Sequence, residues 1–274
     1  MKNGQTKKVC PFLFLEHKII SGRGNKMENQ IKNTVVVILA AGKGTRMKSD
    51  KAKVLHEING KPMINFVVDA AKKVVSDNIV VVVGHQKEVV QNTVSKNANT
   101  QFAVQEEQLG TGHAVMCAMP LIHEIVDSVV VLCGDVPLIS SKTIEKFIEN
   151  HNKENAITTV LAVESENPFG YGRMIVDENG NVVKIVEESD ADENEKKIKI
   201  INSGIYCVQK DFLNESLQKI TDNNSQGELY LTDIISVAHS ENKKIGLYIS
   251  ANNAEVIGVN TCDDLSAAQQ IMNN

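Results

Sequence analysis

Short apolar runs rich in β-branched residues recur along the chain from residue 34 onward. Residues 34–41, 79–83 and 129–133 are continuous runs of this kind, and residues 101–105 form a weaker one. Runs of this length, bounded by turn residues, are typical of strands buried on both faces of a parallel sheet. The pattern therefore predicts four strands in the first half of the chain.

Apolar residues at helical spacing fill the intervals between these strands. They predict helices over 62–75, 86–94, 111–119 and 141–151, the first of them opened by Pro62. Strands that alternate with helices form a mainly parallel sheet with right-handed crossovers, and such sheets bind ligands at the carboxyl ends of their strands. We therefore expect an α/β fold with a Rossmann-like, doubly wound sheet.

The alternation changes after about residue 156. Residues 157–163, 174–176 and 182–186 are predicted strands, the last two joined by a turn that contains an Asn-Gly pair. Residues 187–197 are strongly charged and predict a solvated loop or a short helix. Tandem repeats and low-complexity segments are absent from the sequence. We expect one domain with a mixed, mainly parallel sheet.

The amino-acid composition argues against several classes of binding partner and metal site. Aromatic residues make up only 4% of the chain and Trp is absent, which argues against stacking platforms for nucleic-acid bases. A net charge of −5 argues against DNA and membrane surfaces, and the apolar runs are too short to span a bilayer. The five cysteines are scattered without a CxxC pair, so neither a disulfide framework nor a zinc site is indicated. A reducing compartment fits best, and we expect the cytoplasm.

The beginning of the chain does not share the pattern. Apolar residues 11–15 follow a basic start, but Glu16 and His17 interrupt them and no small-residue cleavage site follows. Met27 stands shortly before the first predicted strand. We interpret residues 1–30 as a disordered leader or tag and leave them out of the predicted fold.

The loop after the first strand carries the strongest local signal. Its sequence, LAAGKGTRM over residues 39–47, brings small residues to the end of a strand, where backbone amides can approach phosphate oxygens. It lacks the P-loop pattern, and Met47 stands where a dinucleotide-binding loop has its third glycine. Basic residues cluster in and after this loop: Lys43, Arg46, Lys48, Lys51, Lys53 and Lys61. The cluster indicates an anionic ligand, with a solvated surface face as the alternative.

This loop also opens a series of motifs that resembles the uridylyltransferase domain of the bacterial N-acetylglucosamine-1-phosphate uridylyltransferases, a branch of the sugar nucleotidyltransferases. The resemblance covers about residues 34–270. Its blocks are LAAGKGTRM (39–47), KVLH (53–56), QEEQLGTGH (105–113), GDVPL (134–138), YGR (171–173), IVE (185–187), INSG (201–204), GELYLTD (227–233) and GVN (258–260). Other sugar nucleotidyltransferases share single blocks, whereas the complete ordered set is specific to this branch.

The resemblance implies a reaction and a division of the chain. The reaction is Mg²⁺-dependent transfer of uridylyl from UTP to N-acetylglucosamine-1-phosphate, giving UDP-N-acetylglucosamine and pyrophosphate for cell-wall and amino-sugar precursors. The domain over 31–274 would comprise a UTP-binding half at about 31–155, a sugar-phosphate half at about 156–262 and the start of a linker helix at 263–274.

The same resemblance implies roles for individual residues. The catalytic cations would be Arg46 and Lys53, and the magnesium ligands Asp135 and Asn260. Nucleotide-binding residues would be Leu39, Ala41, Gly42, Gly44, Gln105, Gln108, Gly110 and Thr111. Sugar-binding residues would be Gly172, Glu187, Asn202 and Tyr230.

Each of these residues also has a plainer interpretation. Arg46 and Lys53 could be surface cations, and the QLGTG block could serve only as a helix entry. An Asp after Gly, as at Asp135, is more often a turn or helix cap. Glu187 begins an acidic run that could be solvated, and Asn202 could cap a turn. Tyr230 could be a core residue with its hydroxyl at the surface.

The chain departs from the family pattern in three places. Ala52 replaces a proline that usually precedes the active-site lysine, which predicts a looser loop, and Cys133 stands where many members have tyrosine. Because the chain stops at Asn274, we expect no left-handed β-helix domain and no acetyltransferase activity, and therefore a monomer or weak dimer.

Two other functions remain open. One is the same chemistry on another pair of substrates, such as glucose-1-phosphate with dTTP or UTP. The other is a non-catalytic, nucleotide-binding regulatory homologue. Met47 disfavours a nicotinamide-dependent dehydrogenase.

Overall fold

A computed structural model describes residue 31 and residues 33–273, so the predicted leader at 1–30 lies outside the described residues. Nine strands form one sheet and two short strands form a separate hairpin. The strands are β1 (Thr34–Ala40), β2 (Glu57–Ile58), β3 (Lys61–Pro62), β4 (Ile79–Val83), β5 (Gln101–Val104), β6 (Ser128–Cys133), β7 (Thr158–Glu164), β8 (Arg173–Val176), β9 (Val182–Val186), β10 (Ile200–Gln209) and β11 (Ile245–Ile249).

The described residues also form seven α-helices and several 3₁₀ turns. The helices are α1 (Met63–Val75), α2 (Lys87–Ser95), α3 (Thr111–Ala118), α4 (Ser141–Glu154), α5 (Lys210–Leu217), α6 (Asp233–Ser240) and α7 (Cys262–Asn273). The 3₁₀ turns are Thr45–Met47, Lys53–Leu55, Met119–Leu121, Glu195–Lys197 and Asn253–Glu255. No helix in this part of the chain combines the length and the apolar character needed to cross a membrane.

The main sheet is mixed but mostly parallel. Its order is β11-β7-β10-β6-β1-β4-β5, with β8 paired to β10 and β9 paired to β8. Neighbours among β6, β1, β4 and β5 are parallel, as are β7 and β11, whereas β10 is antiparallel to both β6 and β7. The carboxyl ends of β1, β6 and β7 therefore share one edge with the amino end of β10.

Both faces of the sheet are covered by helices. Val36 and Ile38 of β1 pack in a buried cluster that includes side chains of α1, α2 and α4. Val35 and Val37 pack on the other face with side chains of α3, α5 and α6. Each buried side chain of this kind contributes roughly 1.5–3 kcal/mol, which explains why β1 is apolar without alternation. The expected doubly wound α/β fold is confirmed.

The elements predicted between residues 34 and 186 are present, and β4 and β9 have the predicted bounds. The sequence pattern predicts no strand for β10, whose centre carries Asn202, Ser203 and Gly204. A register shift between Asn202 and Ile205 accommodates these residues as a bulge against β7. Bulges bend a strand and redirect side chains, so this one places Asn202 at the edge where β1 and β6 end.

Candidate active site

The loop after β1 borders a cavity of about 270 Å³ at the carboxyl edge of the sheet. Below we call it the glycine-loop cavity. It is lined by Leu39, Ala40, Ala41, Gly42, Lys53, Val54, Gln105, Gln108, Gly110, Thr111, Ala114, Cys133, Asp135 and Glu228. Seven of the eight residues predicted to bind nucleotide are among them, together with Lys53 and Asp135.

Gly44 is the exception: it does not line the cavity but packs against Lys53, which does. Its φ is +70°, a left-handed conformation that favours glycine. A Cβ built on Gly44 would also collide with the Lys53 side chain. Gly44 therefore lets the glycine-rich loop pack directly against Lys53 and sets the position of that lysine.

A cluster of two cations and two oxygen-bearing side chains lies beside the cavity. The Lys53 ammonium forms an ion pair with Asp135 Oδ2 and lies 3.1 Å from Asn260 Oδ1. Arg46 Nη2 lies 2.8 Å from the same Asn260 oxygen. The structure thus brings all four predicted catalytic and metal-binding residues together, although they come from three segments far apart in sequence, one with Arg46 and Lys53, one with Asp135 and one with Asn260. We refer to them as the cation cluster.

The amide of Asn260 is oriented by its own loop. Its Nδ2 donates to the Gly258 carbonyl at 3.2 Å, so Oδ1 faces the two cations. The backbone N–H groups of Asn260 and Thr261 both donate to Asp264 Oδ2 at 2.9 Å at the start of α7. The loop is held further by the Val259 N–H, which donates to the Asp135 carbonyl at 2.8 Å. Asn260 and Asp135 are therefore positioned as one unit.

The loop that carries Lys53 is held by a side chain from the β4–α2 connection. Gln86 Oε1 accepts from the Ala52 N–H and Gln86 Nε2 donates to the Asp50 carbonyl, both at 2.9 Å. Ala52 itself is fully buried, with φ −53°. The sequence predicts a looser loop because Ala52 replaces proline. In the structure the N–H that a proline would lack is used for this hydrogen bond, so the loop is fixed in another way.

The floor of the glycine-loop cavity is formed by the segment between β5 and α3. Gln105 is 3% exposed and its Nε2 donates to the Gly110 carbonyl at 3.0 Å. Gln108 Nε2 donates to the Gln105 carbonyl at 3.3 Å. Gly110 has φ +106°, and a Cβ there would come within 2.5 Å of the Leu229 carbonyl, so glycine is required. This floor presents side-chain amides and a glycine backbone to the cavity.

A second cavity of about 200 Å³ adjoins the first, and we call it the β10 cavity. Its lining comprises Leu39, Thr111, Cys133, Gly170, Tyr171, Gly172, Glu187, Asn202, Ser203, Gly204, Tyr206, Leu231, Thr232 and Asn260. Leu39, Thr111 and Cys133 line both cavities. Burial raises the pKa of Cys133 to about 12, so the thiol stays protonated and donates to the Gly204 carbonyl at 3.4 Å.

Three of the four predicted sugar-binding residues line the β10 cavity. A Cβ on Gly172 would lie 3.3 Å from Glu187 Oε2, so this backbone and that carboxylate are close neighbours. Burial raises the pKa of Glu187, and nearby Asp190 adds to the shift. Asn202 Oδ1 accepts from the Gly204 N–H at 3.0 Å, which fixes the amide. The cavity therefore offers a carboxylate and an amide as fixed hydrogen-bonding groups.

Tyr230 is the predicted sugar-binding residue that the structure does not bring to the cavity lining. Tyr230 is 8% exposed, and its hydroxyl donates to Asp190 Oδ2 at 3.3 Å. Two other tyrosines, for which the sequence predicts no role, line the cavity instead. Tyr206 receives a hydrogen bond of 2.7 Å from Asn202 Nδ2. Tyr171 stands within the YGR block, so the motif points to it, whereas Tyr206 lies in an apolar part of β10 that belongs to no motif.

A buried arginine supports the loop over the β10 cavity. Arg173 is 1% exposed, pairs with Glu188 Oε2 at 2.7 Å and donates to the Tyr171 carbonyl. The Gly170 N–H donates to the same Glu188 oxygen at 3.0 Å. Arg173 and Glu188 therefore connect the 170–172 loop to the segment that follows β9. Loss of either partner would leave the other charge without compensation.

The cation cluster also meets the chemical requirements of a hard divalent cation. Asp135 and Asn260 present one carboxylate and one amide oxygen to a common point, where the Lys53 ammonium now bonds to both. Mg²⁺ is bound in many enzymes by one or two protein oxygens, with phosphates and water completing its shell. The described residues contain no group of three or more His, Cys, Asp or Glu that could hold a metal without such help. The donor set therefore fits a metal that arrives with a phosphate ligand.

Comparison with known proteins agrees with this geometry. The sequence profile of the nucleotidyl transferase family matches residues 35–254. A relative from Desulfotalea psychrophila, named bifunctional protein GlmU, is 47% identical over 89% of this chain and 71% of its own length. Relatives of the same name from Geotalea uraniireducens and Caldicellulosiruptor saccharolyticus are 46% and 48% identical over 88% and 87% of this chain. The chain spans about half of their length, 53% and 52% respectively.

Proposed function

This chain belongs to the nucleotidyl transferase family, and we propose that it transfers uridylyl from UTP to N-acetylglucosamine-1-phosphate, with Mg²⁺, and releases pyrophosphate. The observation that carries the proposal is the position of the cation cluster. Lys53 and Asp135 line the glycine-loop cavity, while Asn260 lines the β10 cavity. A triphosphate in the first cavity and a sugar phosphate in the second would therefore meet at these charges.

The two cavities differ in a way that suits two different ligands. The glycine-loop cavity has mostly apolar walls and side-chain amides from Gln105 and Gln108, which suit a planar base with polar edges. The β10 cavity has the Glu187 carboxylate and the Asn202 amide, which suit the hydroxyl and acetamido groups of a sugar. Cys133 lines both, so ligands bound on its two sides would be in contact.

The residues support a direct transfer without a covalent enzyme intermediate. An oxygen of the sugar phosphate attacks the α-phosphorus of UTP, and the bond from that phosphorus to the bridging pyrophosphate oxygen breaks. The attacking oxygen is already ionised at neutral pH, so no general base is needed. Positioning and electrostatic stabilisation then provide the catalysis, as in other phosphoryl-type transfers.

Each cation has a distinct task in this mechanism. Lys53 borders the glycine-loop cavity beside the glycine-rich loop, where its compact ammonium can stabilise charge on the α-phosphate. Arg46 is exposed, and its guanidinium reaches from that loop toward Asn260 and Gly170. A planar fork of donors in that position suits the terminal phosphates that leave as pyrophosphate.

Asp135 and Asn260 are the residues that would hold Mg²⁺. The ion supplies charge compensation for the phosphate oxygens when it is bound. For both oxygens to be available, the Lys53 ammonium must leave its present position. Lys53 is then free to turn toward the nucleotide, so metal binding and the placement of this lysine are coupled.

A pyrophosphate-release assay with crossed substrates tests the proposal. UTP, dTTP and CTP are each combined with N-acetylglucosamine-1-phosphate, glucose-1-phosphate and glucosamine-1-phosphate, with Mg²⁺ or with EDTA. We expect the highest kcat/KM with UTP and N-acetylglucosamine-1-phosphate, and no release in EDTA. A preference for glucose-1-phosphate would replace the named sugar. Nucleotide binding without release from any pair would identify a regulatory homologue instead of an enzyme.

A further inference from the structure

The side-chain amide of Gln105 has both of its N–H groups occupied by the protein. Gln105 Nε2 donates to the Gly110 carbonyl at 3.0 Å and lies 3.2 Å from His113 Nδ1. A carbonyl oxygen can only accept, so the amide nitrogen and not the amide oxygen must face Gly110. Its second hydrogen then points to His113, whose Nδ1 accepts it.

This contact also determines the tautomer of His113. Because Nδ1 accepts, the neutral ring carries its proton on Nε2, which lies 3.9 Å from Cys117 Sγ. Burial raises the pKa of Cys117, so its sulfur remains a thiol and offers a weak acceptor. The hydrogen bonds therefore run in one direction: Gln105 donates to His113 Nδ1, and His113 Nε2–H donates to Cys117.

The amide oxygen of Gln105 is left for the cavity. No donor among the described residues bonds to Oε1, and this atom is not among the buried polar atoms that lack a partner. Gln105 lines the glycine-loop cavity, so Oε1 opens onto it. The structure therefore presents an acceptor there, and a rotated amide would present a donor in its place.

We propose that His113 is a specificity-determining positioning residue, because together with the Gly110 carbonyl it holds the Gln105 amide with its oxygen toward the base. This rests on the proposed function, in which the glycine-loop cavity binds the base of the nucleotide. Uracil has an N–H at ring position 3, which an acceptor can bind, whereas cytosine has a lone pair there, which an acceptor repels. Gln108 Nε2 uses one hydrogen on the Gln105 carbonyl and keeps another for a carbonyl of the base.

Removing the His113 acceptor should weaken this discrimination. In His113→Leu only the Gly110 carbonyl still orients the Gln105 amide, so the rotated amide, which offers a donor to the cavity, becomes easier to populate. A stranded or mismatched polar group at such a site changes binding by roughly ten- to hundredfold. We expect the ratio of kcat/KM for UTP over CTP to fall by roughly tenfold or more, mainly through a higher KM for UTP.

Three variants separate positioning from simple damage. His113→Asn keeps an acceptor near the place of Nδ1 and should restore most of the UTP preference. Cys117→Ala keeps the Gln105 contact and should leave the ratio within about twofold of the wild type, since the sulfur contact is weak. His113→Leu added to Gln105→Ala should change the ratio no further, because the group it positions is already gone.

A second measurement works on the unmodified protein and does not depend on turnover. Histidine ¹⁵N chemical shifts should show His113 as the neutral Nε2–H tautomer, with the signal assigned by its loss in His113→Asn.

Calorimetric binding of UMP and CMP should show that the wild type prefers UMP and that His113→Leu loses most of this preference. Protonation on Nδ1, or an unchanged UTP:CTP ratio in folded His113→Leu, would overturn the inference. Failure of every nucleotide to react, with the UMP preference intact, would instead count against the proposed reaction alone.

Discussion

Replacing Lys53 by methionine should destabilise the protein, because its ammonium compensates the Asp135 carboxylate. The two side chains are only 17% and 16% exposed. Two unit charges about 4 Å apart attract by roughly 4 kcal/mol at an effective dielectric constant of about 20. Removing one partner of a fully buried pair costs about 3–5 kcal/mol, and the residual exposure of this pair lowers that cost. We expect a loss of about 2 kcal/mol.

Thermal unfolding followed by circular dichroism measures this loss. For a domain of this size, about 2 kcal/mol corresponds to a decrease in Tm of roughly 4–8 °C. Lys51→Met is the matched control, since its ion pair with Glu57 is 43% and 49% exposed and should contribute less than about 1 kcal/mol. Adding Mg²⁺ should raise the Tm of Lys53→Met more than that of the wild type, where the ammonium competes for the same oxygens.

A double variant identifies the cause. In Lys53→Met with Asp135→Asn the uncompensated carboxylate is gone, so most of the lost stability should return. If the single variant unfolds at the wild-type temperature, or the double variant is no more stable than the single one, the ion pair does not have the energetic role inferred here.

The remaining predictions concern turnover, pH and substrate choice. Asp135→Asn and Asn260→Ala should each reduce kcat severely in folded protein, and near-normal rates at ordinary Mg²⁺ would refute their role as ligands. Arg46→Ala should lower kcat/KM by roughly two to three orders of magnitude, and Arg46→Lys should recover only part of that loss. Full recovery of kcat/KM in Arg46→Lys would show that Arg46 contributes only a diffuse positive charge. Burial raises the pKa of Glu187, so its ionisation lowers the stability of the folded protein as pH rises through that pKa. Glu187→Gln has no charge to bury and should therefore raise Tm at pH 8. The gain should vanish toward about pH 4, where the carboxyl group is protonated in the unfolded chain as well. The same variant should raise KM for the sugar phosphate far more than for UTP, and equal effects on both would place Glu187 elsewhere.

Much of the fold follows from patterns in the sequence. Strands buried on both faces have to be apolar at every position, so β1, β4 and β6 are visible as continuous runs. The antiparallel strand β10 is not predicted by such a continuous apolar run. Asn202, Ser203 and Gly204 interrupt its apolar pattern, and pairing with β7 on one side and β6 on the other makes it a strand. Such pairing depends on distant residues, which local periodicity does not report.

The candidate site shows the same division. The glycine-rich loop, Lys53 and Asp135 lie in or directly after conspicuous motifs, and the structure brings them together. Gln86 has no comparable signal, because its importance comes from two hydrogen bonds to a loop more than thirty positions earlier. Tyr230 illustrates the opposite case. Its motif is clear, but side-chain direction depends on the local fold, and its hydroxyl faces Asp190.

The cation cluster also has a consequence for how the protein is made. Its contacts join residues separated by 214 positions, for Arg46 and Asn260, and by 207 positions, for Lys53 and Asn260. On the ribosome the glycine-rich loop and β1 to β6 emerge first, and they can begin to fold while the rest is still being translated. The amide of Asn260, which contacts both cations, emerges more than 200 positions later. A nascent chain, or one that terminates prematurely before residue 260, can thus bury much of the same core and still lack the assembled charges. Activity would then appear in one step once residue 260 has emerged and would not grow gradually with chain length.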